Sequence, residues 1–370
     1  MKPKAHIMHL PVYQPGKPID EVKRELGLSE VIKLASNENP FGCSPRAKEA
    51  IVNYVDYANI YPDGASVELT AAVAEHFGVE TNQIVFGAGS DELIMMIARA
   101  YLSPGDETIM ADRTFPQYKH NADVEAATVI EVPLKNGVHD LDAMLAKMTD
   151  RTKIVWVCNP NNPTGTIVTS DELQRFLERV PQNVMVVLDE AYAEYAETES
   201  EYPNGVELLK KYPNLLLLRT FSKAYGLASL RVGYGIGSPD IIRSINQVRE
   251  PFNTTGFAQA AALAAIKDQQ FIRSCREKNK EGIAYLTKEF GRMGLTYFPA
   301  YGNFILADVK RDAKTVFEAL LRKGIIVRGG HTASIGFPTM IRVTVGSAEQ
   351  NRAFIEALEA VLSETAVVAE

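Results

Sequence analysis

Seven short apolar runs, each three to five residues long and each closed by a polar or glycine-rich turn, constrain this 370-residue chain most. They lie at 84–86, 108–111, 128–132, 154–157, 184–188, 215–218 and 232–236. Runs that short and, at 154–157, 184–188 and 215–218, uniformly apolar suit strands covered on both faces. Helical patterns fall between them at 66–77 (with Ser66 as a cap), 93–101, 140–148, 170–179 and 206–211. The alternation predicts an α/β fold: a mostly parallel seven-stranded sheet with helices on both faces. Beyond Asn253 the pattern changes to long helices at 256–267 and 270–293. Strands at 304–307, 325–327 and 341–345 and helices at 313–322 and 348–363 follow, as expected of a smaller carboxyl-terminal α/β domain. The first forty residues are irregular and rich in Pro and Gly, with a short charged helix at 20–26. The expected division is an amino-terminal arm (1–40), a large domain (41–255), and interdomain helices with a small domain (256–370), fraying after Thr365.

The turns that end these runs carry the chemistry. After 215–218 comes Arg219-Thr220-Phe221-Ser222-Lys223-Ala224-Tyr225-Gly226, with Arg231 eight positions beyond the lysine. A lysine in a tight turn of small and hydroxylated residues is placed to be partly desolvated and nucleophilic, as a Schiff-base lysine must be. Thr220, Ser222 and the fork of Arg231 would hold a phosphate beside it, with Thr220 the lesser candidate. An aldehyde cofactor that bears a phosphate is pyridoxal 5'-phosphate. Run 154–157 ends in Asn159-Pro160-Asn161-Asn162-Pro163-Thr164-Gly165, a rigid polar loop that projects Asn162 from a strand's carboxyl end. Run 184–188 leads directly into Asp189-Glu190-Ala191-Tyr192. A carboxylate there needs a partner; a protonated pyridine nitrogen is one, and it would keep the ring an electron sink. Tyr192 and Asn162 could both reach the ring's phenolic oxygen. Gly87-Ala88-Gly89-Ser90-Asp91 feeds a helix amino terminus, whose free N–H groups suit an anion, although such turns are also common structural features.

The joint occurrence of these segments resembles the fold-type I pyridoxal-phosphate aminotransferases. Tyr13-Gln14-Pro15-Gly16, Lys33-Leu34-Ala35-Ser36-Asn37-Glu38-Asn39-Pro40 and Tyr61-Pro62-Asp63-Gly64 narrow the likeness to the histidinol-phosphate aminotransferase family. That resemblance implies amino transfer between L-histidinol phosphate and 2-oxoglutarate, with glutamate and imidazole acetol phosphate as the other pair, in histidine biosynthesis. It implies that Lys223 is the catalytic residue, shuttling a proton at the substrate Cα, and that Ser90 and Asp91 hold the cofactor phosphate. Phe115 matches the position of a ring stacked on the pyridine. Many relatives have tyrosine there, and on its residues alone Phe115 fits a core position better. By resemblance too, Arg342 binds the glutamate carboxylate or the substrate phosphate, Arg328, Tyr13 and Tyr61 add contacts to that phosphate, and Asn37 lies near the substrate. Tyr61 would come from the neighbouring subunit of a homodimer.

Composition agrees. A hydrophobic fraction of 46% and a charged fraction of 23% suit a globular enzyme, and a net charge of −7 argues against a nucleic-acid surface. No apolar stretch approaches the roughly 18 residues of a membrane span. The amino terminus has no signal-peptide pattern, and Cys43, Cys158 and Cys275 are few and scattered, without metal-ligand spacing. A cytoplasmic enzyme without a metal is expected. The same residues would also serve an aromatic-amino-acid aminotransferase or a threonine-phosphate decarboxylase. A cofactor-binding regulator ranks behind these, because no basic appendage accompanies the chain.

Overall fold

The computed structural model describes residues 1–12 and 18–365; Tyr13 lies outside them. After a two-residue strand β1 (Ile32–Lys33), all seven expected runs form strands: β2 (Ile84–Gly87), β3 (Glu107–Ala111), β4 (Thr128–Val132), β5 (Thr152–Cys158), β6 (Met185–Asp189), β7 (Leu215–Thr220) and β8 (Gly233–Gly237). They make one sheet in the order β2-β8-β7-β6-β5-β3-β4. Neighbours from β7 across to β4 are parallel, whereas β8 runs antiparallel to both β2 and β7. The reason lies in the connection. The chain turns back after β7 through the Lys223 loop, without the crossover helix that a parallel neighbour requires.

Residue parity explains why the central strands read as unbroken apolar runs. Val155, Val157, Val186, Leu188, Leu215 and Leu217 pack into the core on one face. Ile154, Trp156, Met185, Val187, Leu216 and Leu218 pack into the core on the other. Side chains alternate across a strand, so two covered faces demand apolar residues at every position.

A smaller unit follows the 24-residue helix Gln269–Arg292. It holds β9 (Thr296–Tyr297), β10 (Phe304–Asp308), β11 (Ile325–Ile326), β12 (Arg328–Gly329) and β13 (Met340–Thr344). Four of these form the antiparallel sheet β12-β13-β10-β9, while β11 pairs in parallel with β1. Leu34, Leu286, Phe290, Ile305, Val343 and Leu358 share a third core in this unit.

Four α-helices escaped the sequence reading, one of them the single turn Ala193–Ala196. Pro45–Asn53 and Pro239–Gln247 begin with proline at the first helical position, where it is favoured. Gln117–Val124 has little apolar periodicity to reveal it. Ser66 corrects an expectation. It occupies the cap position of Val67–Phe77 but at φ +50° and without a capping hydrogen bond. Asp63 caps instead, its carboxylate accepting from the N–H groups of Val67 at 2.7 Å and Ala65 at 2.9 Å.

Beneath the carboxyl ends of β6 and β7 lies a buried ion group. Arg219 Nε donates to Glu190 Oε2 at 3.0 Å, and its Nη1 stands 3.8 Å from Glu194 Oε1. The guanidinium also lies over the Phe77 ring, 5.1 Å from its centroid. Arg219→Leu would leave two buried carboxylates without their cation, and is expected to cost about 3–5 kcal/mol near pH 8 in urea denaturation. Burial raises both acids, Glu194 from an ordinary 4.5 to about 7. The folded protein therefore keeps protons that the unfolded chain has released, and stability falls as pH rises through that window. The deficit of Arg219→Leu should shrink on acidification to about pH 5; an equal deficit at both pH values contradicts the paired-charge account.

Candidate active site

Strand register sets the polar ends side by side. Cys158 faces Asp189, and Asp189 faces Leu218. Thr220 and Gly87 both face Gly233, so the Lys223 loop and the glycine turn before Ser90 emerge together. Ligands of open α/β sheets bind beyond such carboxyl ends.

Asp189 is only 2% exposed. Its Oδ2 accepts from Tyr118 Oη at 2.6 Å and its Oδ1 from the Ala191 N–H at 3.1 Å. Burial lifts its pKa to about 6, against the lowering effect of those two donors. No cation pairs with it among the described residues, so the site offers a buried anion in want of a positive partner.

Lys223 is partly buried and donates to the Ser36 carbonyl at 3.3 Å. Its ammonium sits 5.7 Å from the centroid of the Tyr192 ring. Burial first, and then the field of Arg342, pull its pKa down to about 8, opposed by Asp91 and Glu38. A lysine so placed keeps a substantial neutral fraction near pH 8, which nucleophilic and base chemistry need.

The helix Ser90–Tyr101 starts beside that lysine loop. Arg231 Nη1 donates to Ser222 Oγ at 3.2 Å, and its Nη2 lies 3.6 Å from Asp91 Oδ2. Thr220 is turned inward: its Oγ1 accepts from the Ser222 N–H at 3.0 Å. A Cβ on Gly89 would fall 2.3 Å from Arg231 Nη2, and one on Gly233 would fall 2.6 Å from the Ser90 nitrogen. Glycine is thus required where the backbone N–H groups, a hydroxyl and a guanidinium converge. That cradle is built for an anion.

A third cluster joins the two units. Arg342, buried on β13, donates to Asn162 Oδ1 and, at 2.7 Å, to the Ala35 carbonyl. Its guanidinium lies 5.2 Å from the Phe304 ring centroid, and its Nε has no partner. Burial lowers its pKa to about 10, with Arg328 adding to the fall. Arg328 faces it across the β12–β13 pair, and neither arginine has a carboxylate partner among the described residues. Asn37, at φ +55°, donates to Tyr192 Oη at 2.9 Å and is itself held by Thr344 and Asn303. Asn162 is left with Nδ2, and Tyr192 with its hydroxyl proton, as available donors.

Phe115 is partly buried and packs against the core behind Asp189, edge-on to Tyr118 at 5.6 Å. Tyr61 stands apart from these clusters. It is 79% exposed, stacked only on Phe252 at 4.7 Å. The sequence reading overlooked Tyr118, although it lies three positions after Phe115 in the same segment, one helical turn away.

A buried anion, a lowered-pKa lysine and a glycine-lined anion cradle at the ends of one sheet are the parts of a pyridoxal-phosphate transferase. The chain belongs to the class I and II aminotransferase family, whose model matches residues 29–358. Over its length it is 55% identical to the histidinol-phosphate aminotransferase of Brevibacillus brevis, covering 98% of this chain and 99% of that one. It is also 55% identical to that of a Geobacillus species over the full length of both. The crystal structure of histidinol-phosphate aminotransferase from Sinorhizobium meliloti in complex with pyridoxal-5'-phosphate superposes with a TM-score of 0.89 at 27% identity, covering 97% of each chain.

The perturbed lysine can be measured directly. In cofactor-free protein, competitive acetylation read by peptide mass spectrometry should give Lys223 a midpoint near pH 8. A midpoint for Lys223 above about pH 10 contradicts the desolvated site.

Proposed function

We propose that this chain is a pyridoxal-phosphate-dependent aminotransferase acting between glutamate and imidazole acetol phosphate, with 2-oxoglutarate and L-histidinol phosphate as products, in histidine biosynthesis. The residues fit the cofactor. Asp189 would hold the pyridine nitrogen, Asn162 and Tyr192 the phenolic oxygen, and Phe115 a ring face. The N–H groups of Ser90 and Asp91, with Ser222 and Arg231, would hold the phosphate, while Thr220 supports that loop from within. When bound, the cofactor supplies an electron sink for charge developing at the substrate Cα. Lys223 would hold it and would take up and return the proton at the substrate Cα.

One observation carries the substrate reading: Arg328 and Arg342 face each other across β12–β13 without a counter-anion among the described residues. Two adjacent cations repel unless an anion lies between them. A phosphate that bears two charges satisfies both, and the glutamate carboxylate satisfies one at a time. Tyr13, Tyr61 and Asn37 complete the substrate contacts in this reading. Glutamate formation from 2-oxoglutarate, measured with L-histidinol phosphate and with phenylalanine at matched concentrations, tests it. A strong preference for histidinol phosphate is expected. Equal rates favour dual specificity with aromatic amino acids, and carbon dioxide release from threonine phosphate without a keto acid favours a decarboxylase. Arg328→Gln should raise KM for histidinol phosphate roughly tenfold or more and KM for glutamate much less.

The active form in this reading is a cytoplasmic homodimer, divided into arm, large domain and small domain. The separate core behind β10 and β13 supports that division. The exposed side chains of Val52, Val55, Tyr57, Ile60, Tyr61 and Phe252 support a face covered by a second copy. If Tyr61 completes the neighbour's site, Lys223→Ala and Tyr61→Ala subunits are each nearly inactive alone. Unfolded together and refolded, they should recover about a quarter of the wild-type activity, because half of the dimers carry one intact site. No recovery would place Tyr61 in its own subunit's site, and an active Tyr61→Ala homodimer would place it outside the site altogether.

A further inference from the structure

Tyr118 is the strongest polar contact of the buried carboxylate, and nothing in the reading above uses it. It comes from the helix Gln117–Val124 and is fully buried. Its ring stacks on Trp156 at 4.8 Å and 12°. Trp156 is itself anchored, donating from Nε1 to Thr108 Oγ1 at 2.8 Å, and that hydroxyl donates to the Ile154 carbonyl at 3.1 Å. The hydroxyl of Tyr118 therefore cannot swing away from Asp189 without breaking a stack in the core. Its other neighbour is Phe115, edge-on. One side chain thus touches two of the residues assigned to the cofactor ring, the acid at its nitrogen and the phenyl group at its face.

We propose that Tyr118 is a positioning residue for the cofactor: its hydroxyl occupies Asp189 Oδ2, fixes the carboxylate plane and keeps it ionised for the pyridine nitrogen. The inference rests on the assignment of Asp189 to that nitrogen. The physical case is the scarcity of donors. In an apolar pocket the carboxylate has, among the described residues, only Tyr118 and the Ala191 N–H to stabilise its charge. Remove the stronger donor and the acid takes up a proton at higher pH, after which it no longer attracts a protonated ring nitrogen. The other titratable groups facing it do not substitute. Cys158 on β5 and Tyr192 have their pKa values raised by burial and stay neutral. Glu190 is paired with Arg219, and Asp91 stands next to Arg231. Both are anions that can only push the Asp189 pKa upward.

Trp156 is the only tryptophan in the chain, and it lies under Tyr118, so its fluorescence reports on this place. Full-length protein is stripped of cofactor and titrated with pyridoxal phosphate between about pH 6 and 9. The set comprises wild type, Tyr118→Phe, Asp189→Asn and the double variant. Tyr118→Phe should weaken binding about tenfold near pH 7.5, the worth of a charge-assisted hydrogen bond. The acid-side loss of affinity should move up by about one pH unit. In the Asp189→Asn background the same substitution should change affinity less than about twofold. Equal effects in both backgrounds, or wild-type affinity and pH profile in Tyr118→Phe while Asp189→Asn binds weakly, overturn the proposal. Wild-type binding by Asp189→Asn overturns the assignment of Asp189 itself. Trp156→Phe, followed by cofactor absorbance, keeps the hydroxyl and is the second variant should Tyr118→Phe not fold. Near-wild-type affinity with an unshifted profile supports the hydroxyl, and a loss as large as that expected for Tyr118→Phe assigns the effect to packing.

Discussion

The site is held in electrostatic debt at three places, and most of the surrounding structure serves to keep it so. Asp189 is a buried anion without a cation. Arg231 and the first turn of the helix Ser90–Tyr101 form a cradle lined by glycine where no side chain fits. Arg328 and Arg342 face each other with no carboxylate between them among the described residues. A ligand with a protonated ring nitrogen and a phosphate answers the first two, and a second anion answers the third. Raising Asp189 from 3.8 to about 6 corresponds to roughly 3 kcal/mol against its charged form. Its contribution to folding therefore weakens as pH rises through that window, and a bound cation reverses the loss.

Segment 34–39 joins the two units that carry these charges. Leu34 lies in the smaller core and donates to the Ile326 carbonyl at 2.7 Å. The next carbonyl, at Ala35, accepts from Arg342, and that of Ser36 accepts from Lys223. Asn37 then bridges Thr344 and Tyr192, and Asn39 donates to the Ala224 carbonyl at 2.8 Å. Six residues thus fix Arg342, Lys223 and the loop that bears the lysine relative to one another. The left-handed backbone at Asn37 is tolerated because every polar group of that residue is engaged.

Much of this was legible in the sequence, for reasons that are local. Two-sided burial writes the central strands of the large sheet as apolar runs, and a polar side chain at the end of such a run has few explanations. Asp189, Asn162 and Lys223 could therefore be picked out by position and chemistry alone. Arg328 and Arg342 were visible only through family likeness, because the significance of a strand-end arginine depends on the strand beside it. The β12–β13 register that sets them face to face is a tertiary fact. The expected strand at 325–327 is β11, which serves β1, and a second short strand that was not expected, β12, follows it and serves β13; no periodicity could reveal that change of partner.

Tyr118 shows where local reading stops. Its helix is polar and weakly patterned, so the segment looked like a connection that happened to carry an aromatic residue. What gives the tyrosine meaning is a hydroxyl 2.6 Å from a carboxylate 71 positions later and a tryptophan stacked beneath it. Neither partner shares a sequence pattern with it. The groups that touch a ligand sit at strand ends and announce themselves. Those that orient them sit one layer back, on elements chosen for packing, and are recognised only when the distance is measured.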